Sequence, residues 1–157
     1  MLAHPVGGFE RITDEEWHDG LYIQPKLDGV RCIIQHEAGT ENPVKAYSRT
    51  GKEWKNINHI LAELCPFFSK YPNVILDGEL YNHDLKDDFE QIISLVRRQK
   101  PDDIDMLESR DMVQFHCYDI INEDWHFEDR NLFRQQNFSY YGDYQCDSVI
   151  SVDHGVV

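Results

Sequence analysis

Lys26-Leu27-Asp28-Gly29-Val30-Arg31 lies between two short apolar runs, Leu21-Tyr22-Ile23-Gln24-Pro25 before it and Val30 to Gln35, with Cys32, Ile33 and Ile34, after it. Each run has the make-up of a strand and Asp-Gly is a frequent turn pair, so the stretch predicts two strands joined as a hairpin. Lys26 then ends a strand, facing whatever the sheet holds. A lysine in that place is either a solvated turn residue or a nucleophile, and the hexapeptide alone leaves both readings open.

Working outward, Thr13-Asp14-Glu15-Glu16 has the pattern of a capping box and opens a helical turn before the first strand. A polar turn, Gly39-Thr40-Glu41-Asn42-Pro43, leads into a strand from Val44 to Arg49. Ile57, Ile60, Leu61, Leu64 and Phe68 recur at helical spacing and predict an amphipathic helix over 56–68. A strand from Val74 to Tyr81 follows. A second amphipathic helix runs from about Asp87 to Arg98, with Phe89, Ile92, Ile93 and Val96 inward. After a loop at Lys100-Pro101-Asp102-Asp103 comes a short helix, then a strand from Met112 to Ile121. Beyond Asn122 the pattern weakens until Val149 to Val157, read as one more strand. With no repeat and no low-complexity segment, the chain is read as one mixed α+β domain of antiparallel sheets flanked by helices.

Two strands carry chemistry. In Val74-Ile75-Leu76-Asp77-Gly78-Glu79-Leu80, alternation puts Asp77 and Glu79 on one face and Leu76 and Leu80 on the other. Like charges side by side are unfavourable without a cation or a hydrogen-bonding ligand between them, so the pair is either a solvated edge or a site for a metal or a sugar hydroxyl. In Met112 to Ile121, Val113, Phe115 and Cys117 share one face, and Gln114, His116 and Tyr118 the other. A tyrosine there either presents its ring to a flat ligand or is an ordinary core residue. In Tyr47-Ser48-Arg49-Thr50-Gly51 an arginine ends a strand before a glycine turn, a place that suits a guanidinium aimed at phosphate or ribose.

The 157 residues suffice for one sizeable core. No apolar run approaches the length that spans a bilayer, and Met1-Leu2-Ala3-His4-Pro5 lacks the features of a signal peptide, so a soluble, cytoplasmic protein is expected. Cys32, Cys65, Cys117 and Cys146 are far apart with no Cys-x-x-Cys pair, which argues for reduced thiols and against zinc. The formal net charge of −14 is awkward for a protein that grips a polyanion, but its distribution is uneven. Through Lys100 there are 12 basic and 16 acidic residues; from Pro101 onward there are three arginines, no lysine and 13 acids. The acidic excess belongs to the last third, where the acids are interspersed with aromatics as on a solvated face.

Taken in order, these segments resemble the covalent nucleotidyltransferases: ATP-dependent DNA ligases, RNA ligases and messenger-RNA capping guanylyltransferases. Lys26 to Arg31 matches their Lys-x-Asp-Gly-x-Arg motif. Ser48-Arg49-Thr50-Gly51 resembles the arginine motif that follows, Leu76-Asp77-Gly78-Glu79-Leu80 the third, and Phe115-His116-Cys117-Tyr118-Asp119 the aromatic-Asp strand after that. The arginine after Gly29, together with Ser48 to Gly51, looks most like a DNA ligase, and Tyr81-Asn82-His83-Asp84 resembles the phage-type enzymes. The resemblance implies the ATP-grasp-like ligase and capping-enzyme fold, with ATP and Mg²⁺ as cofactors and a nicked double-stranded DNA as partner of a monomeric enzyme of DNA repair, replication or recombination. It also implies roles. Lys26 attacks the α-phosphorus of ATP and carries AMP to the 5′-phosphate at the nick; Arg31, Arg49 and Glu79 contact ribose and phosphate; Glu79 or Asp77 reaches the metal; Tyr118 stacks on adenine; Gln24 contacts the base edge. An amine with a reference pKa of about 10.4 requires roughly 4.6 kcal/mol to be neutral at pH 7, so a cation and arginines near Lys26 are needed to favour the free base.

The resemblance also implies motifs that are not seen: a metal-binding Glu-Gly pair, a Lys-x-Lys pair for the α-phosphate, and an oligonucleotide-binding barrel. With no lysine after Lys100, the Lys-x-Lys pair is absent under any alignment, and His154-Gly155-Val156-Val157 has His where the acid of the Glu-Gly pair would stand. Residues 1–157 are therefore read as an adenylation domain incomplete at its C-terminus, with most DNA-tracking basic residues belonging to the missing part. A guanylyltransferase, an RNA ligase and, from another class, a nucleotide-binding module without turnover are the alternatives. The isolated chain is expected to form little or no lysine-AMP adduct with α-labelled ATP, because the α-phosphate lacks its lysine clamp; robust labelling would show the missing motifs to be dispensable or replaced.

Overall fold

A computed structural model describes residues 13–156, the side chains of 16, 17, 19, 86, 155 and 156 excepted. In chain order the elements are α1 (Asp14–Asp19), β1 (Tyr22–Ile23), β2 (Val30–His36), β3 (Val44–Tyr47), α2 (Asn58–Lys70), β4 (Leu76–Tyr81), a 3₁₀ segment (His83–Asp88), α3 (Phe89–Val96), α4 (Asp103–Met112), β5 (Gln114–Ile120), α5 (Phe127–Phe138), β6 (Val149–Ser151) and β7 (Gly155–Val156). The helix expected after Thr13 is present as α1; the Glu16 side chain of the capping pair lies outside what is described, as does Val157.

Five strands form one sheet in the order β3-β2-β4-β5-β6, antiparallel except for the parallel β5–β6 edge. Alternation along the strands works as expected from their sequence: Cys32, Ile34, Ala46, Leu76, Leu80, Phe115 and Cys117 enter the core. There they meet Ile60, Leu64, Phe67 and Phe68 of α2, the helix whose spacing is read directly from the sequence. Burial of that continuous apolar layer is the main force holding sheet to helices. The Phe67 ring also packs on Phe133 and Phe138 of α5, so α2 and α5 share this side of the sheet. All four cysteines are free thiols.

Three expectations are corrected. The first is the hairpin: β1 does not pair with β2 but with β7, in a separate two-stranded sheet with Tyr22 opposite Val156 and Ile23 opposite Gly155. Pro25 has no N–H to offer a ladder and ends β1 early. Gly29 is not a turn glycine, since positive φ among the described glycines occurs at Gly20, Gly39 and Gly51. It is required by crowding: a β-carbon there would collide with the Leu80 carbonyl and stand 3.1 Å from Glu79 Oε2.

The second correction is α5, a twelve-residue helix where the sequence pattern was weak. Its buried positions are Arg130, Asn131, Arg134, Asn137 and Phe138, a helical spacing filled mostly by polar residues and hence silent in hydrophobic periodicity. The third is the last strand, which is two strands: β6 extends the main sheet, and after Asp153-His154 the chain crosses to β1 as β7.

Gly29→Ala is expected to destabilise the fold by about 1–3 kcal/mol, the usual result of overpacking a site with rigid walls. Urea unfolding followed by circular dichroism checks this; a midpoint equal to that of the unsubstituted chain would mean that β2 has room to retreat from β4.

Candidate active site

The site lies on the sheet face opposite the apolar layer, at the end where β2 begins. Arg31 is opposite Glu79, and Glu79 is opposite His116. The β2–β3 ladder runs from His36–Val44 to Ile33–Tyr47, so the turn after Tyr47 carries Arg49 towards the end of the sheet that holds Arg31. That turn is closed by Gly51 N–H on the Ser48 carbonyl at 3.0 Å and by Lys52 N–H on Ser48 Oγ at 3.0 Å, with Gly51 at φ 89°. Positive φ is the reason for glycine there. Arg49 is exposed at the tip of this turn, and among the described residues it has no ion-pair partner.

Arg31 and Asp77 make a two-pronged pair, Nε to Oδ1 at 3.0 Å and Nη2 to Oδ2 at 2.8 Å. The contact runs diagonally across the β2–β4 ladder, since Asp77 lies opposite Ile33. Asp77 is 3% exposed, and burial pushes its carboxyl up while the guanidinium holds it down. The hydrogen bond to Asp77 raises Arg31 in turn. The Arg31 carbonyl is fixed from the other side by the Trp54 indole N–H at 3.2 Å. Arg31 is thus anchored on a backbone that cannot easily shift.

Glu79 is half-buried. Burial pushes its carboxyl up to about 7, with Asp77 adding to the rise, while Tyr118, Arg31 and the Gly29 N–H pull it down. Tyr118 Oη donates to Glu79 Oε1 across 3.5 Å. One carboxylate therefore touches the Lys26–Arg31 segment through Gly29 and the aromatic-Asp strand through Tyr118. Lys26 is exposed in the link between β1 and β2, three residues before Gly29.

Tyr118 sits at an irregularity in the ladder. Gly78 is opposite Cys117 and Asp77 opposite Asp119, so Tyr118 is the extra residue of a bulge, half-buried and aimed at Glu79. Its carbonyl accepts from Gln24 Nε2 at 3.0 Å and from Arg134 Nη1 at 2.5 Å. Sequence reading misses Arg134, because a single arginine in a weakly patterned segment gives no signal. Asp119, the partner in the aromatic-Asp motif, is taken by Arg130 Nε at 2.8 Å, which secures α5 to β5. His116 is buried beside Glu79, and burial lowers its imidazole to about 4, so at neutral pH the ring is uncharged.

Of the expected residues, Arg31 and Asp77 form one bonded pair, and Gln24, Tyr118 and Glu79 form a second bonded group beside it, with Arg31 opposite Glu79 in the ladder; Lys26 and Arg49 stand exposed on the segments that flank them. As for a metal, no group of three or more His, Cys, Asp or Glu among the described residues is placed to hold an ion. Both Asp77 oxygens are used by Arg31, which leaves Glu79 as the carboxylate with acceptor capacity to spare. That donor set fits Mg²⁺ carried on a nucleotide's phosphates and steadied by one carboxylate, rather than an ion caged by protein alone.

Comparison with known proteins bears on the fold and on the family. Solved structures named Pmar-Lig_Pre and Pmar-Lig_PreS3 each superpose with a TM-score of 0.63 at 21% identity, over 87% of this chain and 31% of theirs. One described as "DNA binding with a minimal scaffold: Structure-function analysis of Lig E DNA ligases" gives 0.60 at 16% identity, over 87% of this chain and 44% of its own. The chain spans less than half the length of each, and at these identities the likeness concerns fold. The sequence itself matches the model of the ATP dependent DNA ligase domain over residues 1–141, a span that includes all four motif segments and the bonded cluster around Glu79, and the chain belongs to that family.

Proposed function

We propose that the chain is the nucleotide-accepting part of an ATP-dependent DNA ligase, in which Lys26 becomes the AMP carrier. The observation that carries this reading is the meeting of the Lys26–Arg31 segment, β4 and Tyr118 on the Glu79 carboxylate, with an exposed lysine beside them. Family membership supports ATP and DNA as partners. In this reading the neutral Nζ of Lys26 attacks the α-phosphorus of ATP, an N–P bond forms, the P–O bond to pyrophosphate breaks, and the amine loses its remaining extra proton to solvent. AMP then moves to the 5′-phosphate at a DNA nick, and a 3′-hydroxyl displaces it.

The side chains divide the work. Tyr118 offers its ring face to adenine, with Gln24 behind its carbonyl. Glu79 accepts from a ribose hydroxyl or steadies Mg²⁺, with Asp77 adding negative charge from behind Arg31. Arg31 is already oriented by Asp77 and needs little ordering when phosphate arrives, whereas Arg49 must be ordered from solvent. When bound, Mg²⁺ supplies screening for the charge that builds on the phosphoryl oxygens.

Mass spectrometry after long incubation with excess ATP or GTP tests the reading. In a full-length protein the expected product is an AMP adduct on the peptide carrying Lys26, lost in Lys26→Ala and unaffected by GTP, with at most a trace on the isolated chain. An adduct from GTP alone would overturn the ligase in favour of a capping enzyme, and ATP binding with no adduct in a full-length protein carrying intact Lys26 would favour a module without turnover. Transfer of the AMP to nicked RNA and not to nicked DNA would make it an RNA ligase.

Glu79 gives a second test that needs no nucleotide. Its folded value of about 7 lies above its ordinary 4.5, so the folded chain takes up the proton more readily than the unfolded one. The associated stability is complete below about pH 4.5 and is lost as pH rises through about 7. In Glu79→Gln that loss disappears. The variant is expected to be about 1–2 kcal/mol more stable than the unsubstituted chain at pH 8, with the two converging near pH 4.5. Urea midpoints across that range check it; parallel curves would show that Glu79 is ionised throughout.

A further inference from the structure

Tyr118 owes its aim to a bulge, and a bulged residue leaves its carbonyl without a ladder partner. Two donors from distant parts of the chain converge on that oxygen. Gln24 comes from the segment just after β1, two residues before Lys26, and Arg134 from the inner face of α5. Arg134 is 0% exposed, and among the described residues it has no carboxylate within ion-pair distance. A guanidinium in such a place is expensive to bury, and a leucine or methionine would fill the volume at less cost.

Its two Nη groups are instead directed at acceptors, while its buried Nε–H has no partner among the described residues. Besides the Tyr118 carbonyl, Arg134 Nη2 donates to Asn131 Oδ1. Asn131 Nδ2 faces His154 Nε2 at 3.3 Å, and the His154 ring packs on Tyr22 of β1 and Phe127 of α5. The nucleophile segment is thus held twice: by Gln24 directly, and through Tyr22 by the Arg134–Asn131–His154 line. Chains of buried hydrogen bonds of this kind specify one arrangement when their members are paired to one another.

We infer that Gln24 and Arg134 are positioning residues that clamp the Tyr118 carbonyl, fixing the tilt of its ring for the nucleobase and tying the Lys26 segment to β5. The inference rests on the nucleotide-transfer reading, and it assigns Gln24 a part played through Tyr118 rather than by touching the base.

A double-substitution cycle on the full chain tests it, with ATP and inorganic tripolyphosphate affinities measured by calorimetry for the unsubstituted chain, Gln24→Ala, Tyr118→Ala and the double variant. Gln24→Ala is expected to weaken ATP about fivefold, the loss of one hydrogen bond, to leave tripolyphosphate unchanged, and to have no further effect once Tyr118 is alanine. Equal weakening in both backgrounds would mean that Gln24 reads the base itself and would overturn the clamp; equal loss of both ligands would mean general damage and would overturn it too. Amide hydrogen exchange without nucleotide gives an independent reading: Gln24→Ala and the milder Arg134→Lys should each speed exchange over 117–121 several-fold, and unchanged exchange in Gln24→Ala sinks the clamp. If the unsubstituted chain binds no ATP, the nucleotide reading fails, and the exchange result alone decides whether the clamp exists.

Discussion

The close approach of β2 to β4 is the constraint on which the site depends. Because Gly29 has no side chain, its backbone comes against the Leu80 carbonyl, and its N–H reaches the Glu79 carboxylate. Spread those strands by the width of a methyl group and Glu79 loses one of its donors. Arg31, one ladder position opposite Glu79, would shift with the strand and strain its two bonds to Asp77. Apolar burial beneath the sheet supplies the energy that keeps the strands this close, while the glycine makes the closeness geometrically possible.

Gly78 repeats the device one strand over, where a β-carbon would collide with the His116 carbonyl and lie 2.7 Å from the Phe115 ring. The bulge begins there, and with it the displacement of Tyr118. Both glycines of the acid-bearing motifs are therefore packing glycines, and the polar face is shaped by backbone proximity before any side chain is considered. The acids and arginines then arrange themselves under a low-dielectric penalty: Asp77 is matched by a guanidinium, whereas Glu79 is only partly compensated and keeps a high proton affinity.

Much of this was legible in the chain. Strand alternation around Asp77 and Glu79 and helical spacing from Ile57 to Phe68 are local signals, and the elements they announce are present. The pairing of β1 was not legible, because its partner lies more than a hundred residues away and a two-residue strand carries no register of its own. The Asp-Gly pair misled for a physical reason: the same dipeptide serves a turn and a tight strand contact, and only the neighbour tells which. Helix α5 escaped because its interior is lined by Arg130, Asn131, Arg134 and Asn137, whose burial is offset by hydrogen bonds invisible in a hydropathy pattern. Motif order pointed to Lys26, Arg31, Glu79 and Tyr118, but which of them bond to one another depends on register and on the bulge.

The pairing of β1 with β7 has a consequence for how the protein is made. A ribosome delivers Tyr22 and Ile23 more than a hundred residues before Gly155 and Val156, so the strand leading into Lys26 must wait for nearly the whole described chain before its partner exists. The five-stranded sheet can assemble around its core in the meantime. During synthesis the segment that leads into Lys26 can be held by Gln24 on the Tyr118 carbonyl once β5 is in place, and its second tie forms only when β7 arrives.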